Sequence, residues 1–121
     1  MDTGFRKEYL AFIQFAATGS QQDYNELWIT CWQTMRALCF ARYGARSDPE
    51  DLDDIINNAT LRVLAKLSTA KDVTSKRTAQ IFYWSLRHVA DKVFSKKKLR
   101  QNIMAKYIKD AESAAKIIFH K

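Results

Sequence analysis

Three groups of residues in this chain could do chemistry, and each suits binding better than catalysis. The first is Phe82-Tyr83-Trp84, three consecutive aromatics set among Lys76, Arg77, Arg87, His88 and Lys92. A helix turns about 100° per residue, so three successive side chains sweep roughly 200° and cannot all enter one core. Exposed aromatics between cations suit the stacking of unpaired bases, worth about 1–3 kcal/mol per base, while Lys and Arg follow the phosphates. The same spacing fits a structural use, with Phe82 in the core and Tyr83 and Trp84 covering a neighbouring helix. The second group, Lys96, Lys97, Lys98 and Arg100, puts four cations into five residues. They repel one another unless an anion such as phosphate screens them, and solvation at a helix end is the alternative.

The third group is the acidic run Asp48, Glu50, Asp51, Asp53 and Asp54. Its first members read as a helix start, because carboxylates favour the positive end of the helix dipole. Asp53 and Asp54, followed by Asn57, Asn58 and Arg62, form a polar strip opposite the isoleucines. That strip fits either a solvated face or pairing with a basic partner protein. No histidine, second acidic cluster or glycine-rich phosphate loop accompanies these carboxylates, so no enzyme activity and no cofactor are expected. Cys31 and Cys39 lie on one side of a helical stretch, too far apart for a disulfide and without metal-ligand spacing, and read as core thiols with no metal.

The elements that position these residues are helical. With one proline and three glycines, and with apolar residues recurring at three and four, the chain offers little for strands. The periodicity predicts an all-α fold, a compact bundle of about five helices making one domain over residues 1–121. Helix one covers about 3–17, with Phe5, Leu10, Phe12 and Ile13 on one side. Helix two runs from near Gln22 to Tyr43 and carries Leu27, Trp28, Cys31, Trp32, Met35, Leu38 and Cys39. Helix three starts at an Asp48 N-cap with Pro49 in the first helical position, and buries Ile55, Ile56, Ala59, Val63, Leu64 and Leu67. Helix four spans about 76–98 with Phe82, Leu86, Val89, Ala90 and Val93 inward. Helix five covers 101–117, its Ile103, Met104, Tyr107, Ile108, Ala111 and Ala115 expected to close the bundle or, alternatively, to dock on an accessory protein. The apolar end Ile117-Ile118-Phe119 offers a small surface for a partner groove.

Charge divides the chain. The whole carries 20 basic and 13 acidic residues, for +7, but residues 71–121 hold +9 and residues 1–70 hold −2. The carboxy-terminal half therefore attracts nucleic acid and the amino-terminal half repels it. No apolar run reaches the ~18 residues of a membrane span and no signal peptide is evident, so a cytoplasmic protein is expected.

The stretch Asp54-Ile55-Ile56-Asn57-Asn58-Ala59-Thr60-Leu61-Arg62-Val63-Leu64 resembles, without a gap, a pattern of bacterial sigma-factor region 2. Phe82, Leu86, Val89 and Ala90 are similar to that family's downstream fragment at the right spacing. The resemblance spans about residues 22–100. Departures are that the family's Trp in the second fragment falls at Ser85, its Asn at Lys92 and its following Asp at Lys96, while its Gln-Glu pair is Asn57-Asn58. The resemblance implies that Asp53, Asp54, Asn57, Asn58 and Arg62 dock on the clamp helices of the largest subunit of core RNA polymerase. It also implies that Tyr83, Trp84, Arg87, His88 and Lys92 read the non-template strand of promoter DNA at a −10-type element. Arg77, Phe82, Lys96, Lys97, Lys98 and Arg100 complete the expected DNA-binding set.

The expected function is thus a sigma-like transcription initiation factor. A domain reading a −35 element is not expected, as in reduced extracytoplasmic-function-type or phage late-gene sigma-like factors, and an accessory or anti-sigma protein is an expected further partner. Two other functions fit the same surfaces. One is a helical DNA-binding regulator without polymerase contact, and the other is a polymerase-binding inhibitor that mimics a sigma factor.

Overall fold

The computed structural model describes residues 5–119, with side chains through residue 116. Its elements are α1 (Arg6–Thr18), α2 (Gln21–Tyr43), α3 (Pro49–Thr69) and α4 (Ser75–Phe119), and no strand occurs among the described residues. The expected fourth and fifth helices are one element of 45 residues. Residues 75–119 hold neither glycine nor proline, the strongest helix breakers, and Leu99, Arg100 and Gln101 at the expected break are good helix formers. The chain divides into two compact units, residues 1–90 and 91–121.

In the first unit, short polar signals set the helix ends. Gly19 closes α1 at φ 63°, a left-handed conformation that costs glycine little, and its N–H bonds the Phe15 carbonyl at 2.7 Å. Ser20 then caps α2, its hydroxyl accepting from the Asp23 N–H at 3.1 Å and donating to the Asp23 carboxylate at 3.0 Å. Thr18 also donates to that carboxylate, and the Thr18 and Ser20 hydroxyls hold its pKa below the ordinary value. Asp48 occupies the N-cap position of α3 with Pro49 following, but it makes no side-chain capping bond. Its carbonyl serves instead, accepting from the Leu52 N–H at 3.1 Å. Thr74 starts α4, its hydroxyl accepting from the Arg77 N–H at 3.0 Å.

The core forms where α2, α3 and the first turns of α4 turn their apolar stripes inward. Leu27, Cys31, Met35 and Cys39 meet Leu52, Ile55, Ile56, Ala59, Val63 and Leu67, with Ile81, Phe82, Leu86, Val89 and Ala90 from α4. Burial of each large member contributes about 1.5–3 kcal/mol. The α1 stripe differs from expectation, because Leu10 and Ile13 are exposed and only Phe5 is fully buried. Glu8 takes an inner position on this helix, accepting a hydrogen bond from the Thr34 hydroxyl while its Oε2 is buried without a partner. Burial pushes the Cys31 thiol up to about 12, with the Glu8 charge adding to it, and the Cys39 thiol up to about 11, as befits core thiols.

In the second unit the apolar residues expected to close the bundle are exposed instead. Leu99, Ile103, Met104, Tyr107 and Ile108 all keep more than half of their surface open to solvent. The side chains of Ile117-Ile118-Phe119 lie outside the described residues. No described helix is long and apolar enough to cross a membrane.

Candidate nucleic-acid interface

Helix α3 carries three kinds of surface, sorted by its 100° turn. Leu52, Ile55, Ile56, Ala59, Val63 and Leu67 face the core. Asp54, Asn58 and Leu61 point out to solvent, Leu61 as an exposed apolar residue among polar ones. At the edge toward α2, the Asn57 side-chain oxygen accepts a 3.0 Å hydrogen bond from the Trp32 indole N–H. At the opposite edge, Arg62 and Lys66 are one turn apart and lean toward α4.

The first turns of α4 divide in the same manner. Thr78, Phe82, Ser85 and Val89 point into the core. Arg77, Trp84 and His88 lie on one flank, Tyr83 on the other, and Arg87 points outward between them. The flank carrying Trp84 faces the Arg62 and Lys66 edge of α3. Together they line a groove of about 400 Å³ with Thr69, Ala70, Ile81 and Ser85. Trp84 is 59% exposed, and the Arg77 guanidinium lies 5.3 Å from its ring centroid in a cation–π arrangement. Arg77 also reaches the Gln80 side-chain oxygen at 3.4 Å.

Tyr83 lines a second groove of about 490 Å³ with Phe5, Lys7, Thr30, Gln33, Thr34, Ala37 and Leu38. Its ring packs edge-on against Phe5 with centroids 5.6 Å apart, and Phe5 in turn packs on Phe82 at 5.2 Å. Tyr83 is therefore partly committed to holding the start of α1 in place.

These positions reshape the expected DNA-binding set. Phe82 is fully buried and cannot touch a strand; its place opposite Arg87 on the helix makes it core. Trp84, Arg77 and His88 share one groove, whereas Tyr83 belongs to another. Lys92, Lys96, Lys98 and Arg100 are exposed and Lys97 half-buried, all in the second unit. Of the expected polymerase-docking set, Asp53, Asp54 and Asn58 are exposed, Asn57 is bonded to Trp32, and Arg62 lines the groove beside Trp84. Sequence reasoning missed Lys66, which follows Arg62 by one helical turn and so shares its face, and it missed the pairing of Trp32 with Asn57, which only packing reveals.

A groove of this kind suits a nucleotide. Arg and Lys supply charge-assisted contacts to phosphate oxygens, the guanidinium as a planar fork, and the free face of Trp84 offers a stacking platform. Among the described residues no group of three or more His, Cys, Asp and Glu converges to hold a metal ion. Comparison of the chain with protein-family models, with curated proteins and with solved structures finds no match.

Proposed function

We propose that this chain is a sigma-like transcription initiation factor that docks on core RNA polymerase and holds an unpaired promoter strand of a −10-type element in the groove between α3 and α4. The observation that carries this reading is the meeting of Arg62, Lys66 and Arg77 with an exposed Trp84 around one concavity. Cations alone would suit any polyanion. A stacking platform among them favours single-stranded over duplex nucleic acid, because bases inside a duplex hide their faces.

Flipping one base out costs a few kcal/mol. One stack on Trp84 returns about 1–3 kcal/mol, and phosphate contacts from the three cations offset the rest. No covalent chemistry is required. Asp53, Asp54 and Asn58, on surface away from the groove, are the polymerase contacts in this proposal, with exposed Leu61 as an apolar centre among them. Arg62 is reassigned from polymerase to strand because it lines the groove.

Pull-down with core RNA polymerase, followed by transcription from an upstream-fork template, tests the reading. The proposed outcome is binding plus opening at the fork. Absence of core binding with retained strand binding would make the chain a helical DNA-binding regulator, and core binding without opening would make it an inhibitor that mimics a sigma factor.

A further inference from the structure

The groove between α3 and α4 gathers its positive charge around a single stacking face. Arg62, Lys66 and Arg77 line it beside Trp84, and no carboxylate is among its lining residues. Each phosphate within a strand is a diester with one negative charge, and surfaces that bind strands spread their cations along the backbone in a track. Here the cations are clustered instead.

No such track continues along α3. One helical turn before Lys66 stands Arg62, one before that Asn58, and one before that Asp54, so the cations give way to an amide and then to a carboxylate. Asn58, Asp54 and the adjacent Asp53 are all exposed. Phosphates extending past Arg62 on that side therefore meet like charge within about two turns. The groove itself, at about 400 Å³, has the size of a small-molecule site.

Arg77 can serve base and phosphate together. Its guanidinium lies 5.3 Å from the Trp84 ring centroid and donates to the Gln80 side-chain oxygen at 3.4 Å. A guanidinium has several N–H donors, so one held over an indole and bonded once still has donors for phosphate oxygens. A ligand that sets several phosphate charges on one base matches this arrangement, because a terminal phosphate carries about −1.5 to −2 at neutral pH where a diester carries one charge. We propose that the groove also binds a free nucleoside triphosphate, its base stacked on Trp84 and its phosphates held by Arg62, Lys66 and Arg77, in competition with the strand. This deepens the strand reading, since both ligands use the same groove, and it makes strand capture sensitive to free nucleotide.

Isothermal titration of the full chain with adenosine triphosphate, in the absence of divalent metal, tests the proposal. One-to-one binding is expected, about tenfold tighter than that of inorganic tripolyphosphate, which has the charge but no base to stack. Trp84→Ala removes this advantage and leaves tripolyphosphate binding unchanged; Trp84 is 59% exposed, so circular dichroism stays that of the wild type. Arg62→Glu with Lys66→Glu weakens both ligands about a hundredfold, and Lys7→Glu in the other groove changes neither by more than about threefold. Adenosine triphosphate also displaces a labelled single-stranded oligonucleotide from the wild type. A triphosphate that binds no better than tripolyphosphate, is indifferent to Trp84→Ala, or leaves the oligonucleotide bound overturns the proposal. Oligonucleotide binding without any triphosphate binding overturns it and leaves the strand reading standing. Triphosphate binding with these sensitivities but no oligonucleotide binding upholds it and removes the strand reading.

Discussion

Tyr83 and Trp84 are neighbours in sequence, yet they open onto different surroundings. Trp84 stands among Arg62, Lys66 and Arg77 with its ring mostly in solvent, whereas Tyr83 lies in a groove of threonines, glutamine and one lysine and leans on Phe5. The two grooves are similar in size, so the difference between them is chemical. One groove gathers positive charge around a stacking face. The other is nearly neutral, and its aromatic wall holds the start of α1. Two adjacent aromatics on a helix are thus split between the proposed strand site and architecture by one residue's worth of rotation.

Phe82 is fully buried and packs on Phe5, which lines the Tyr83 groove, so its removal has the largest effect. Phe82→Ala is expected to cost about 3–5 kcal/mol in denaturant unfolding. A loss below about 1 kcal/mol would mean that Phe82 is not the tightly packed support of Phe5 and the Tyr83 groove that its full burial indicates. Next comes charge. Arg62→Glu with Lys66→Glu is expected to weaken single-stranded DNA binding about a hundredfold and to flatten the salt dependence by about 0.7 in log–log slope for each phosphate no longer neutralised. Lys7→Glu in the Tyr83 groove is expected to change affinity by less than about threefold. If the two reversals weaken binding equally, the distinction between the grooves is wrong.

The aromatics give a finer contrast. Trp84→Ala is expected to remove about 1–3 kcal/mol of strand affinity without loss of core polymerase binding. Tyr83→Ala should leave strand affinity unchanged and cost about 1 kcal/mol of stability, because no ring then packs edge-on against Phe5. Isothermal titration and thermal melting of both variants measure the two quantities separately. The smallest effect concerns the core face of α2, where Cys31 and Cys39 are buried as neutral thiols. Their pKa values are raised by folding, so this contribution is complete below the ordinary value of 9.0 and declines as pH climbs toward about 11 and 12. Unfolding free energy measured on the alkaline side should fall over that window, and the thiols should react with a disulfide reagent at neutral pH only after denaturant is added.

Much of the fold could be read from residue spacing. The start of α3 follows from Asp48-Pro49, and its stripe from Ile55, Ile56, Ala59, Val63 and Leu67 at helical spacing. The continuity of α4 was also written in the absence of glycine and proline, although the polar, cationic 96–101 stretch looked like a place to stop. Helix α1 misled because Glu8, not Leu10 or Ile13, faces inward, and no local pattern announces a buried carboxylate. The groove was half legible. The run of aromatics required that one be exposed, but which cations would surround it depended on how α3 lies against α4, and this brought Arg62 and Lys66 to Trp84 across more than 15 residues of intervening chain.

The hydrogen bond from the Trp32 indole to Asn57 gives the molecule an optical reporter of its own. Asn57 sits at the border of the surface assigned to polymerase, and the indole that grips it is half-buried at the edge of α2. A partner that draws Asn57 away leaves the excited indole in a different electrostatic setting and shifts its emission. With Trp28 and Trp84 replaced by phenylalanine, the one tryptophan left signals occupancy of α3 in real time, with no dye attached to the surface being measured.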